Sequence, residues 1–140
     1  MKAVIIGRHE LLPGQLEQLK KLGVIETKYV ASLPEDAVEL QSVIEQWREQ
    51  GVKAVIVQAL PLRILARLWE LCSRHGIDVV TAEMVTVGLA RNEGEAKALV
   101  EARPDVRTYV RSPTDKVIRV IEFRRWLRVK MLRVELEELK

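Results

Sequence analysis

The sequence contains one cysteine, Cys72, and two histidines, His9 and His75. A single cysteine cannot form an intramolecular disulfide, and so few thiol and imidazole groups argue against a thiolate-rich or histidine-rich metal centre. We therefore expect no metal or other cofactor, and a reducing compartment, the cytoplasm. Cys72 falls within a helical pattern, where it is interpreted as a small buried apolar residue rather than as a reactive thiol.

Long apolar runs are also lacking. The first apolar stretch ends at Gly7 and is too short for a signal-peptide core or for a membrane span, so we expect no membrane partner. Asn92 is the only asparagine, and arginine outnumbers lysine, a composition that suits a thermophilic source.

Several catalytic and nucleotide-binding motifs are missing. The sequence has no G-x-G-x-x-G, no G-x-x-x-x-G-K-[ST] and no G-x-S-x-G, which argues against dinucleotide, P-loop and serine-hydrolase sites. A receiver-type phosphorylation site needs acidic residues at the ends of the first and third predicted strands. Those positions carry Gly7 and Gln58.

The chain has 140 residues, of which 48% are hydrophobic and 31% charged, enough for one domain and no more. Its net charge of +3 is unevenly distributed. Residues 1–110 carry 14 basic and 15 acidic groups, whereas residues 111–140 carry 9 basic and 5 acidic groups. The sequence therefore predicts a neutral core over residues 1–110 and a basic extension over residues 111–140.

Short apolar runs alternate with helical patterns in the first part of the chain. The runs cover residues 3–7, 26–31, 54–59 and 77–82. Pro13 and Pro61 suit first helical turns, and Gly23, Gly51 and Gly76 fall where helices should end. This alternation predicts an α/β fold with right-handed crossovers, a Rossmann-like, doubly wound, mostly parallel sheet.

Apolar stripes mark the faces of these helices that should meet the core. In chain order the three stripes are Leu12, Leu16, Leu19 and Leu22; Val38, Ile44 and Trp47; and Leu65, Leu68 and Cys72.

The last third of the chain allows two interpretations. Asn92 and Glu95 predict a helix start, and a fifth strand follows over residues 106–110. Residues 112–115 then either cap one long terminal helix or form a turn. The crowded β-branched residues of 117–123 favour a turn over 113–116, a strand and a terminal helix, which together make a C-terminal hairpin and helix extension. The stripe predicted for that helix is Trp126, Val129, Leu132, Leu136 and Leu139.

Ligands of open parallel sheets bind beyond the carboxyl ends of the strands, at the point where the strand order reverses. Four loops, which follow the first four strands, should share that edge. Arg8 and His9 are the candidate catalytic residues, because a guanidinium suits phosphate and an imidazole can transfer a proton. The candidate ligand-binding residues are Gly7, Ser32, Gln58, Thr81 and Glu83. The alternative is that these are ordinary loop residues whose hydrogen bonds tie the loops together.

A basic segment lies between residues 111 and 133. It contains eight basic residues and two acidic ones, and its basic residues are densest at Arg124, Arg125 and Arg128. The segment is either a functional surface, which would be a phosphate-facing wall or a nucleic-acid surface, or a solvated face of an amphipathic segment. The apolar residues interleaved with it predict a homodimer contact. They include Trp126, Leu127, Met131 and Leu132.

Two blocks of the sequence resemble a known family. The opening strand, followed by Arg8-His9-Glu10-Leu11-Leu12-Pro13-Gly14-Gln15, and the block AVIVQALPLRILARLWELCSRHGIDVV resemble small stand-alone CRISPR-associated Rossmann-fold proteins related to ring nucleases. The resemblance covers about the first 85 residues. His9 matches the opening histidine of the family and Leu60-Pro61 its third-strand loop, whereas Arg8 stands where a small residue is expected.

The resemblance implies a homodimer that binds cyclic oligoadenylate, the second messenger of type III CRISPR antiviral defence, either as a sensor or as a ring nuclease. Cleavage would be metal-independent and would use a ribose 2′-hydroxyl of the ligand as nucleophile. Arg8 would then clamp a phosphate, and His9 would donate a hydrogen bond or act as general acid. The alternative function is a nucleic-acid-binding regulatory module that uses residues 111–133.

Overall fold

The computed structural model of the protein describes residues 1–112, 114 and 116–140. They form ten elements. In chain order these are β1 (Lys2–Ile6), α1 (Pro13–Lys21), β2 (Glu26–Val30), α2 (Ala37–Glu49), β3 (Val52–Val57), α3 (Leu62–Arg74), β4 (Asp78–Ala90), α4 (Glu93–Glu101), β5 (Arg107–Arg111) and β6 (Ile118–Arg128).

The strands follow the hydrogen-bonded order β2-β1-β3-β4-β6-β5. β1 is parallel to β2 and to β3, β3 is parallel to β4, and β5 is antiparallel to β6. The predicted α/β class with a mostly parallel sheet and a C-terminal hairpin is therefore confirmed.

The chain divides into two compact units, each built from separate stretches of sequence. Unit 1 contains residues 1–9, 23–81 and 127–140, and unit 2 contains residues 10–22 and 82–126. The predicted division into a core and a basic extension, within one domain, stays a prediction.

The core of unit 1 forms between strands and two helices. Alternate side chains of β1 and β3, such as Val4 and Val55, pack with the apolar faces of α2 and α3. Ile44, Leu68 and Cys72 are fully buried there. Burial raises the pKa of the Cys72 thiol to about 12, which agrees with its interpretation as a buried apolar residue.

Unit 2 is built around the hairpin of β5 and β6. Ala90, Ala96, Ile118 and Val120 form its buried cluster. The first turn of α1 lies against the turn before β5, where the Gly14 N–H donates to the Asp105 carbonyl at 2.8 Å.

Local sequence signals explain where the helices begin and end. The side chain of Asp36 caps α2, and Asn92 accepts from the Glu95 N–H at 2.9 Å at the start of α4, as predicted. The glycines that follow α1, α2 and α3 all have positive φ, between 69° and 94°, which confirms their predicted role.

Three predictions about the elements are wrong. β4 continues to Ala90, well beyond the predicted end at residue 82, and residues 129–140 are neither helix nor strand, so the terminal helix is absent. In the predicted stripes, Leu22 and Val38 are exposed, whereas Gln15 is buried. The predicted turn over 113–116 includes Pro113 and Asp115, which lie outside the described residues.

The missing helix has a physical explanation. β6 extends through Arg128, and the next residue uses its backbone groups in distant bonds: the Val129 N–H donates to the Val79 carbonyl at 2.8 Å, and Trp69 Nε1 donates to the Val129 carbonyl at 3.1 Å. Only a short segment then remains, and isolated helices of roughly twelve residues or fewer are marginal in water.

Candidate ligand-binding site

The strand order of unit 1 places a reversal between β1 and β3. The chain crosses from β1 to β2 on one side of β1 and returns to β3 on its other side. The strand order therefore reverses between β1 and β3, and ligands of open α/β sheets bind beyond the carboxyl ends of strands at such a reversal. Gly7 follows the end of β1, and Gln58 follows the end of β3. The predicted loop and its partner therefore lie next to each other.

The backbone at Gly7 lies close to the side chain of Gln58. The φ of Gly7 is +149°, and a Cβ built on it would lie 2.7 Å from Oε1 of Gln58. The Gly7 N–H donates to the Val30 carbonyl at 2.9 Å, which links the ends of β1 and β2. Glycine is required here because any side chain would strain the backbone and collide with Gln58.

Gln58 fastens the loop after β1. Its side-chain Nε2 donates to the His9 carbonyl at 2.7 Å, and its backbone N–H approaches the Ile6 carbonyl at 3.4 Å. The side-chain amide of Gln58 thus ties the loop after β3 to the loop after β1, as the alternative interpretation of these loop residues expects. Gln58 therefore fixes the backbone of the loop that carries Arg8 and His9.

Arg8 and His9 stand at the top of this loop with exposed side chains. Among the residues that the structure describes, neither side chain has a hydrogen-bond or ion-pair partner. An arginine fork and an imidazole held by a fixed backbone, without internal partners, leave their donors available to an anionic ligand.

A cavity of about 410 Å³ opens beside the loops after β2 and β3. It is lined by Pro34, Glu35, Leu40, Pro61, Arg63, Ile64 and Arg67. Arg67 donates from Nη1 to the Glu35 carbonyl at 2.9 Å, which fixes the β2–α2 loop against α3. Arg63 is exposed and adds a second guanidinium one helical turn earlier.

Arg63 and Arg67 are not among the predicted site residues. A signal was present, because they are four residues apart on one helix face, directly after the Leu60-Pro61 turn that follows the third strand. Only the structure shows that this face opens into a cavity.

The remaining predicted ligand-binding residues belong to different elements. Ser32 is exposed in the loop after β2, at the same edge as Gly7. Thr81 lies inside β4 opposite Val57, and Glu83 is also a strand residue. The predicted loop after the fourth strand does not exist, because β4 continues through both positions.

Arginines of the predicted basic patch lie next to acidic groups. Arg125 pairs with Glu83 at 3.3 Å in unit 2, and Arg128 lies 3.9 Å from Asp78 in unit 1. Arg124 binds Glu122 at 3.1 Å, and Arg111 pairs with Glu93. These ion pairs leave less free positive charge than the sequence count suggests, and the nucleic-acid hypothesis stays a prediction.

Glu122 is the centre of a buried charge cluster in unit 2. Its carboxylate is 2% exposed and accepts from Arg107 Nε at 3.0 Å and from Arg103 Nη1 at 3.1 Å, and Arg124 Nε forms an ion pair with its other oxygen at 3.1 Å. Burial alone would raise the pKa of Glu122. The hydrogen bond from Arg107 and the charges of Arg103 and Arg124 outweigh that effect and hold its pKa below the usual value.

This cluster was not predicted from the sequence, although a signal existed. Ile118, Val120 and Glu122 are two residues apart along β6 and so lie on the same face of the strand. Because the two apolar residues should face the core, the Glu122 carboxylate should be buried with them. A buried carboxylate needs cationic partners, and of the three arginines only Arg124 comes from the basic segment, whereas Arg103 and Arg107 precede it.

Within the described residues, no three histidine, cysteine, aspartate or glutamate side chains cluster closely enough to hold a metal ion. Nor does any helix in the described part of the chain have the length and apolar character needed to cross a membrane. No protein-family model matches the chain, and neither curated proteins nor solved structures give a significant match.

Proposed function

We propose that the protein binds a phosphate-bearing nucleotide ligand at the edge of unit 1 where β1, β2 and β3 end, and that this ligand is a cyclic oligoadenylate. The carrying observation is the Gly7–His9 loop, which Gln58 holds at the reversal of the strand order, while the Arg8 and His9 side chains have no partner in the part of the chain that the structure describes. The identity of the ligand rests on the sequence resemblance.

We also propose that the fold is a Rossmann-like, doubly wound sheet. The order β2-β1-β3-β4, with all its pairs parallel, and the packing of α2 and α3 on one face of β1 and β3 support it.

Positive charge around the edge supports an anionic ligand. Arg8 would contact one phosphate, and Arg63 and Arg67 would contact another part of the ligand through the 410 Å³ cavity. A ring of several nucleotides is large enough to reach more than one loop. Glu35 lies within the same cavity, so we expect ribose or base groups rather than a phosphate beside its carboxylate.

The protein would further act as a ring nuclease if the ligand is bound in line for cleavage. In that step a ribose 2′-oxygen attacks the adjacent phosphorus and loses its proton to solvent, the 5′-oxygen leaves with a proton from His9, and a 2′,3′-cyclic phosphate end forms. Arg8 would stabilise the charge on the phosphoryl oxygens. A well-placed general acid contributes about 10²- to 10⁴-fold in rate.

Binding is tested by calorimetry with cyclic tetra-adenylate and cyclic hexa-adenylate, with linear oligoadenylate and inorganic phosphate as comparisons. Arg8→Ala should weaken ring binding about tenfold or more, because a charged hydrogen bond contributes about 1.5–3 kcal/mol. The matched control is Lys53→Ala, which removes the same charge from the opposite end of β3. Absence of binding to either ring, or an equal loss in both variants, would overturn the proposal.

Cleavage is followed separately by chromatography of the adenylate products. His9→Ala should slow the appearance of linear products while ring binding persists, and His75→Ala at the end of α3 serves as control. Binding without any linear product from the wild-type protein would make it a sensor and contradict the nuclease part of the proposal.

A further inference from the structure

β2 is an open edge of the strand order. Within the described residues it pairs with β1 alone, and its residues from Glu26 to Tyr29 are all exposed. Ile25, directly before it, is 87% exposed, and Tyr29 is 43% exposed. A strand edge that displays unpaired backbone groups beside apolar side chains is a template for another strand.

We propose that this edge binds a second copy of the chain, through antiparallel pairing of the two β2 strands about a twofold axis at Thr27. The proposal does not depend on the ligand proposed above. Its basis is that the segment is complementary to itself, residue by residue, in this one register.

The charges show this complementarity most clearly. With Thr27 on the axis, Glu26 of each copy lies opposite Lys28 of the other, so two ion pairs form. Glu26 already has Lys2 of its own chain at 3.7 Å, but its side chain remains 66% exposed and can accept a second cation. Oppositely charged cross-strand pairs stabilise a sheet, and like charges directly opposite destabilise it.

The uncharged residues match in the same register. Ile25 of each copy lies opposite Tyr29 of the other, and the two Thr27 residues face each other. Pairs of aromatic with β-branched residues, and of threonine with threonine, are favourable across antiparallel strands. Every position from 25 to 29 therefore has a compatible partner.

Neighbouring registers lack this property. An axis at Glu26 places the two Glu26 carboxylates opposite each other, and an axis at Lys28 does the same for the two ammonium groups. The like charges on the axis therefore select Thr27 over these two positions.

The backbone of β2 agrees with an axis at Thr27. The Val30 carbonyl accepts from Gly7 and so faces β1, and alternation along the strand turns the peptide groups of Thr27 and Tyr29 outward. The Ile25 N–H is engaged with the Met1 carbonyl, so the new ladder is short and centred on Thr27. A five-residue strand buries little surface, and we expect a weak dimer that dissociates on dilution.

A cysteine on the axis tests the geometry directly. Thr27→Cys places two thiols on residues whose Cα atoms are about 5.5 Å apart in a hydrogen-bonded antiparallel pair, a distance that a disulfide spans. The native Cys72 is buried and does not compete. Under mild oxidation we expect a covalent dimer on non-reducing gels, formed at least tenfold faster than with the exposed control Lys53→Cys. Equal rates for the two variants would overturn the proposal.

Charge exchange tests the register. Glu26→Lys and Lys28→Glu each turn both ion pairs into repulsions, which should raise the dissociation constant of the homodimer about tenfold. An equimolar mixture of the two variants pairs each lysine with a glutamate again. By sedimentation velocity, each variant alone should remain near 16.0 kDa at concentrations where wild type and the mixture reach about twice that mass.

Circular dichroism establishes that both charge variants are folded before they are mixed. Wild-type protein that stays a monomer at high concentration, variants that associate as strongly as wild type, or a mixture that fails to associate would each contradict the proposed pairing.

Discussion

Arginine has opposite environments in two regions of this protein. Around Glu122 in unit 2, Arg103, Arg107 and Arg124 all bind one buried carboxylate. In the Gly7–His9 loop of unit 1, Arg8 is exposed and has no partner among the described residues. Arg124 of this cluster lies in the basic segment, whereas Arg103, Arg107 and Arg8 all lie in the nearly neutral residues 1–110, so local net charge does not distinguish Arg8 from the paired arginines. A candidate anion site is therefore better located by unused hydrogen-bond donors than by local net charge.

The largest effect should come from removing the charge of Glu122. Glu122→Gln leaves the half-buried Arg107 without its buried anion, and breaking a buried ion pair costs about 3 kcal/mol or more in the free energy of unfolding. Urea unfolding monitored by circular dichroism measures this loss. The matched control is Glu70→Gln, whose exposed pair with Arg74 should contribute less than about 0.5 kcal/mol. Similar losses in both variants would show that the cluster is no stronger than a surface pair.

The same carboxylate should make stability depend on pH. Because the pKa of Glu122 is lower in the folded protein than its ordinary value of 4.5, the unfolded chain binds a proton first as pH falls. The stability from this group is complete above the ordinary pKa and is lost as pH falls through the lower, folded pKa. Urea unfolding across this range should show a steeper loss for wild type than for Glu122→Gln; parallel curves would contradict the assignment.

Replacing Gly7 in the Gly7–His9 loop should lower the free energy of unfolding. Gly7→Ala introduces a Cβ at positive φ and against Gln58, which should cost about 1–3 kcal/mol of unfolding free energy. Gln58→Ala removes the colliding side chain and the bond to the His9 carbonyl, a loss of about 1 kcal/mol. The double variant should therefore lose less than the sum of the single variants, by at least about 0.5 kcal/mol. Strict additivity in urea unfolding would show that the collision is absent.

Local patterns predicted much of the fold. Continuous apolar runs predicted β1 and β3, and the cap formed by Asn92 and Glu95 predicted the start of α4. Both signals depend on residues that are close together in the sequence. The last twelve residues show the limit of such reasoning. Their apolar stripe suits a helix, but the distant bonds of Val129 to Val79 and Trp69 determine how the segment begins.

The candidate site was predictable only in part. The rule about strand ends selected Gly7 and Gln58, and the structure brings them together. Thr81 and Glu83 were assigned to a loop because the end of β4 depends on pairing with other strands, which the segment itself does not encode. Two partners of Glu122 could not be predicted, since Arg103 from the turn before β5 and Arg107 from β5 reach it through tertiary structure.

The smallest effect on stability, and the most informative for function, should come from Arg8. Arg8→Ala removes an exposed side chain without a partner among the described residues, so unfolding free energy should change by less than about 0.5 kcal/mol. Arg107→Ala removes the donors to Glu122 and to the Leu99 carbonyl, and should cost about 2–3 kcal/mol. If Arg8→Ala instead destabilised the protein as much as Arg107→Ala, Arg8 would be structural, and its loss of ligand binding would say nothing about recognition. We expect Arg8→Ala to be stable but unable to bind the adenylate ring, and Arg107→Ala to be less stable but still able to bind the ring when folded. This pair of results would show that Arg107 stabilises the fold and that Arg8 contacts the ligand.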